Sequence, residues 1–199
     1  MGLYGRWQAG RPFPRWQVSP TEILTTEHRL IEKVLTAIEE AVAKLERGQA
    51  VRPRFFLDAA EFVRGYCDGL HQRKEEGVLF PAMMAHGFPM TSGPLAAMLS
   101  EHEQARAHVR AMREGADALA RGERAGAEVM VAGARAYTAL VRQHIAKEER
   151  ALFPMAESSI PAARHPALAA DLARSSAERD NTIARFRALA DALQGEMCN

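Results

Sequence analysis

Apolar residues recur along this chain at intervals of three and four, and nowhere do Val, Ile and Thr alternate with polar residues as a half-buried strand would require. Punctuation sets the element boundaries. Ser19-Pro20-Thr21-Glu22 reads as a capping box with Pro at the first helical position, so a helix starts there and runs to about Glu46, with Gly48 as its stop. Pro53 opens a second helical pattern that holds through Met84 and ends near Gly87. Ser92-Gly93-Pro94 opens a third, to about Ala120, and a fourth spans roughly Glu123 to Ala156. Beyond Pro161 and Pro166 a fifth runs from about Ala167 to Leu193. Pro81 and Pro154 each remove a backbone hydrogen bond near a helix end and are expected to kink or end that helix. Short connections make sequential helices antiparallel neighbours. The expected fold is all-α: an antiparallel up-down four-helix bundle over 19–156, an N-terminal arm over 1–18, and an additional C-terminal helix within 157–199 packed on the bundle.

Two stretches of this pattern repeat. Residues 71 to 81 read HQRKEEGVLFP and residues 144 to 154 read HIAKEERALFP. The repeat reaches further upstream, because Glu27-His28 precedes the first stretch and Glu101-His102 the second at nearly the same offset. The chain thus reads as two helical hairpins of one design, each with a lone His on its first helix and a His-x-x-x-Glu on its second. Residues at i±3, i±4 and i±7 share a helix face. His28 therefore shares its face with Leu24, Ile31 and Leu35, and His102 with Met98, Ala105 and Val109. His71 lies with Cys67, Val78 and Leu79, and His144 with Leu140, Val141 and Leu152, so all four point inward. Glu75 and Glu148 follow at i+4 on the same faces.

A carboxylate on a core face is costly to desolvate unless it is paired or bound to a cation. Lys74 and Lys147 are adjacent in sequence to these glutamates and so point about 100° away from them. A single His on an apolar face is ordinarily a core histidine, and a single i, i+4 His–Glu pair is ordinarily solvated. The duplicated set of His28, His71, Glu75, His102, His144 and Glu148 has no such plain account and predicts a metal site. Imidazole with carboxylate suits iron, manganese or zinc, and a carboxylate from each of two helices can bridge two ions. His86, His108 and His165 lack this support and read as surface or capping residues. Tyr137, two turns before His144, is a candidate for a hydroxyl near the site, although a core tyrosine bonded to a carbonyl fits the same position.

Lys plus Arg number 26 against 25 Asp plus Glu, a net charge of +1, which argues against nucleic-acid or anionic-membrane partners. Two cysteines, Cys67 and Cys198, do not make a disulfide framework, and a reducing cytoplasm is the expected setting. The N-terminal stretch has no apolar core of a signal peptide, no run of residues is long and apolar enough to span a bilayer, and Arg6 stands where a myristoylation motif needs Ser or Thr.

His28, His71-x-x-x-Glu75, His102 and His144-x-x-x-Glu148, with the KEE and LFP around the second and fourth histidines, resemble the hemerythrin-like, or HHE cation-binding, family over about residues 20 to 156. The resemblance implies a four-helix bundle holding two non-haem iron ions, oxo- or hydroxo-bridged, and a small ligand such as dioxygen, peroxide or nitric oxide. The Glu-x-x-His order of ferritin-like di-iron bundles is absent. Oxygen-carrying hemerythrins have a fifth histidine four residues after the third, where this chain has Arg106, and an Asp at i+5 where this chain has Glu148 at i+4. These departures favour peroxide, dioxygen or nitric oxide processing over simple carriage. A non-catalytic oxygen or iron sensor, or an iron-binding protein, is the alternative, and a homodimer is an allowed assembly. Arg106 itself is expected either to lie along the helix toward solvent and Glu103, or to face the metals and bond a glutamate ligand or a bound anion.

Overall fold

The computed structural model describes residues 19–177 and 180–198, so the expected N-terminal arm lies outside the described residues. Among them are six helices and no strand. Helix α1 is Glu22–Glu46 and α2 spans 53–84. Helix α3 is Gly93–Ala120 and α4 spans 126–159. Helices α5 (His165–Ala177) and α6 (Asp180–Met197) stand where one C-terminal helix is expected. Helix α3 packs most extensively on α4, α2 packs on α3, and α1 closes on α4. Both C-terminal helices dock mainly on the first hairpin: α6 on α1 and α2, and α5 on α1 and the Glu75–Leu79 segment of α2.

The helix stops behave as the glycines demand, with Gly48, Gly87 and Gly122 all at positive φ. The capping box does not form. Thr21 is the N-cap without a side-chain cap bond, and the Ser19 and Thr21 hydroxyls both donate to Glu157 at the end of α4. That carboxylate accepts two hydroxyl donors at once, so it competes successfully for the groups that would otherwise cap α1.

The prolines do not end their helices. Helix α2 is α-wound over Pro53–Phe62, π-wound over Val63–Gln72 and Glu75–Leu79, and α-wound again over Phe80–Met84. Helix α4 repeats the ending, with π winding over Glu148–Leu152 and α winding over Phe153–Ser159. Each proline sits in the first turn of the restarted α segment. Each proline lacks an N–H and so leaves one gap in the helical ladder, and the π turn just before it is where the helix accommodates the misfit without ending.

Two apolar clusters fill the bundle. One contains Ile31, Leu70, Ala105, Val141 and Ile145, and the other contains Leu24, Leu79, Met98 and Leu152. His28 lies between Leu24 and Ile31 in sequence, and His102 between Met98 and Ala105. The repeated histidines and glutamates therefore form a polar layer between two dry halves of the core.

Candidate metal centre

All six residues expected at the site are buried: His28, His102, Glu75 and Glu148 fully, His71 at 3% and His144 at 4% exposure. They converge in two groups that share both glutamates, His28, His71, Glu75 and Glu148 in one and Glu75, His102, His144 and Glu148 in the other, with the ligand atoms of each group within 4.8 Å of one another. Within the first group the Nε2 atoms of His28 and His71 are 3.1 Å apart, and within the second those of His102 and His144 are 3.2 Å apart. Each glutamate divides its oxygens between the groups. Glu75 places Oε1 3.4 Å from His71 Nε2 and Oε2 3.4 Å from His102 Nε2. Glu148 places Oε1 3.2 Å from His144 Nε2 and Oε2 3.2 Å from His28 Nε2.

These near approaches do not satisfy the carboxylates. All four oxygens of Glu75 and Glu148 are buried without a hydrogen-bond partner of acceptable geometry among the described residues. Such orphaned acceptors are expensive in a protein interior. The electrostatics show the same demand for positive charge. Burial opposes a charged His144, yet attraction to Glu148 and Glu101 outweighs it and pushes the imidazolium up to about 10. His28 is raised in the same way against its burial, chiefly by Glu148. Burial opposes ionisation of Glu148, and His144 and His28 nonetheless hold it well below the usual carboxylate range. Four imidazole nitrogens and four carboxylate oxygens around two points fit two transition-metal ions of the iron, manganese or zinc kind.

Around this layer lies a second set of carboxylates that spacing did not reveal. His28 Nδ1 donates to Glu149 at 2.9 Å, His71 Nδ1 to Glu27 at 3.1 Å, His102 Nδ1 to Glu76 at 2.7 Å and His144 Nδ1 to Glu101 at 2.9 Å. Each bond holds Nδ1–H outward and points Nε2 inward, which is how metal-binding histidines are oriented. Every outer carboxylate is then paired with a cation: Glu27 with Lys74, Glu101 with Lys147, Glu149 with Arg29 and Glu76 with Arg106. The His102 bond, with help from Arg106, holds the Glu76 carboxyl down to about 2 against its partial burial. The signal was present in the sequence, since Glu27 and Glu101 each precede a site histidine and Glu76 and Glu149 each follow a site glutamate. The Phe of each LFP has a role too, with Phe153 stacked 5.6 Å from His28 and Phe80 stacked 6.0 Å from His102.

Arg106 does not bond Glu75 or Glu148. Its guanidinium reaches Asp68 and Glu76 at 2.8 Å and Glu103 at 2.6 Å, so it takes the expected contact with Glu103 and also steadies a carboxylate that orients His102. Tyr137 is buried with its hydroxyl on the Cys67 thiol, neither on a carbonyl nor in the ligand cluster. His86 and His165 bond the backbone carbonyls of Ala82 and Ile160, as capping residues do, and His108 is half-buried outside the cluster.

A helical bundle with a buried, duplicated His/Glu constellation of this kind defines a cation-binding protein. Residues 19–156 match the model of the hemerythrin HHE cation-binding domain, and the chain belongs to that family. No curated protein and no solved structure matches it. Among the described residues no helix is long and apolar enough to cross a membrane.

Proposed function

We propose that this chain is a cytoplasmic non-haem di-iron protein that binds or redox-processes dioxygen, peroxide or nitric oxide in the core of an up-down four-helix bundle. His28 and His71 would hold one ion and His102 and His144 the other, with Glu75 and Glu148 shared between the two groups. The observation that carries this reading is the set of four buried, partnerless carboxylate oxygens, each facing a histidine Nε2. A pair of irons supplies the electrons that reduction of a small oxidant requires. The chain's own residues supply the rest: four oriented imidazoles, two shared carboxylates, and an outer ring of Glu–cation pairs that keeps the imidazoles from turning. Each group would offer an ion two nitrogens and two carboxylate oxygens, a donor set that would allow an exogenous ligand to bind, and Arg106 is engaged with Asp68, Glu76 and Glu103 where a carrier would place a fifth histidine.

Iron-loaded protein is expected to hold two irons per chain by elemental analysis and to decompose peroxide faster than an equal concentration of free iron. Fewer than two irons at saturation would refute the centre, and full loading without turnover would leave the sensor reading. One observation favours that second reading: Glu27, which orients His71, shares a surface cavity with Ile183, Ala184 and Arg187 of α6. A change at the centre would thus be felt by the appended helix.

A further inference from the structure

Helix α6 lies beyond the residues that match the family, yet it reaches into the metal-binding bundle. Its Phe186, 4% exposed, sits on the backbone of Gly65 in α2. A Cβ at position 65 would stand 2.8 Å or less from three carbons of that ring, so only glycine leaves the seat open. Phe62 and Tyr66, stacked on each other at 5.1 Å, meet the same ring edge-on at 6.0 and 6.2 Å.

The seat falls within the π-wound stretch Val63–Gln72, which carries His71 near its end. Winding of this kind is rare and occurs mostly as single turns, so 10 residues of it ask for an outside support. Pro81 accounts for the later stretch Glu75–Leu79, as Pro154 does for Glu148–Leu152, but no proline stands just beyond Gln72. The second hairpin supplies the control. Thr138 occupies the place equivalent to Gly65, α6 docks on the first hairpin, and the helix before His144 is α-wound throughout Gly126–Lys147. The long π stretch thus occurs in the copy on which Phe186 sits. Winding decides aim, because loss of the one extra residue between Gly65 and His71 would turn the imidazole by about 100° relative to the seat, away from His28.

We propose that Phe186 is a positioning residue for the metal centre: seated at Gly65, it holds Val63–Gln72 in π winding and so aims His71 at the ion shared with His28. This role rests on the two-ion reading of the site, and it makes one ion depend on α6 while the other does not.

Titration of the chelated full chain with cobalt(II), followed by visible absorption against a competing chelator, tests this. The parent is expected to take two ions per chain. Phe186→Ala and Gly65→Ala should each bind one ion as the parent does and the other about ten- to a hundredfold more weakly, the usual cost of losing the orientation of a metal-binding histidine. Leu193→Ala opens a cavity at a buried position two turns further along α6, and should lower the unfolding temperature while keeping both ions. Circular dichroism confirms folding, and Gly65→Ala, which keeps the ring, decides the matter if Phe186→Ala does not fold. A parent that takes fewer than two ions would overturn the two-ion reading and this role with it. Two ions of parental affinity in Gly65→Ala, or the same selective loss in Leu193→Ala, would overturn the role alone.

Discussion

His28 and His71 meet nitrogen to nitrogen, their Nε2 atoms 3.1 Å apart and their Nδ1 atoms each held by a carboxylate. Two nitrogens so directed can face each other at this distance only with a proton or a metal ion between them. Metal removal should therefore cost stability. An ion present at about a thousand times its Kd stabilises by about 4 kcal/mol, which in a chain of this size corresponds to a fall in Tm of about 8–16 °C on chelation. Scanning calorimetry before and after chelation, with recovery on adding ferrous iron, measures it. A Tm indifferent to both treatments would mean that protons alone balance the two glutamates.

Coordination can be separated from fold stability by substitution. His71→Ala and Glu148→Ala should each lower iron below two per chain, while His86→Ala, whose ring only bonds the Ala82 carbonyl, should leave it unchanged. Equal losses in all three, measured by elemental analysis, would trace iron loss to unfolding.

Glu27 and Glu101 occupy equivalent places in the repeat, yet the structure makes them unequal. The Lys74 side chain paired with Glu27 is fully buried, whereas the Lys147 side chain paired with Glu101 is 47% exposed. Glu27→Ala strands a buried ammonium and should cost about 3–5 kcal/mol. Glu101→Ala releases a lysine that water can solvate, and should cost about 1 kcal/mol. Urea unfolding of the two variants gives the difference directly, and equal losses would remove the distinction.

Cys67 provides a pH signature. Burial first, with Asp68 and Glu27 adding, outweighs the Tyr137 hydrogen bond and pushes its thiol from about 9 up to about 12. The folded state then holds this proton where the unfolded chain has lost it. Its contribution is complete below pH 9 and is lost as pH rises toward 12, at most about 4 kcal/mol. Stability of the parent should fall more steeply over that window than that of Cys67→Ala. At pH 8 a thiol reagent should label exposed Cys198 and not Cys67, and labelling of both would show the interior to be open.

The six inward residues were legible because duplication at matched offsets survives any uncertainty in helix ends. The outer carboxylates were equally duplicated, but Glu76 bonds a histidine of the other hairpin and Glu149 does the same in return. A contact that crosses between helices leaves no periodicity within either one. The inequality of Lys74 and Lys147 was illegible for a different reason: α5 and α6 lie mainly against the first hairpin, and nothing in the repeat itself records which copy is covered. The π winding escaped because HxxxE reads alike on either helix, and only the prolines six residues beyond Glu75 and Glu148 marked the place.

That winding carries a further consequence. A π turn contains one residue more than the α turn it replaces, so the Glu148–Leu152 segment works as a phase shifter between the two halves of α4. Deleting a single exposed residue such as Arg150 would let this turn revert to α winding while the residues beyond it keep nearly the same phase relative to His144, because the turn loses only its extra residue. Leu152 would stay in the apolar core and Phe153 on the face of His28, whereas the same deletion in an α-wound stretch would rotate both away by about 100°. Between His144 and Pro154 the helix therefore carries one residue more than α winding needs, and a deletion there would be absorbed where a deletion elsewhere in α4 would not.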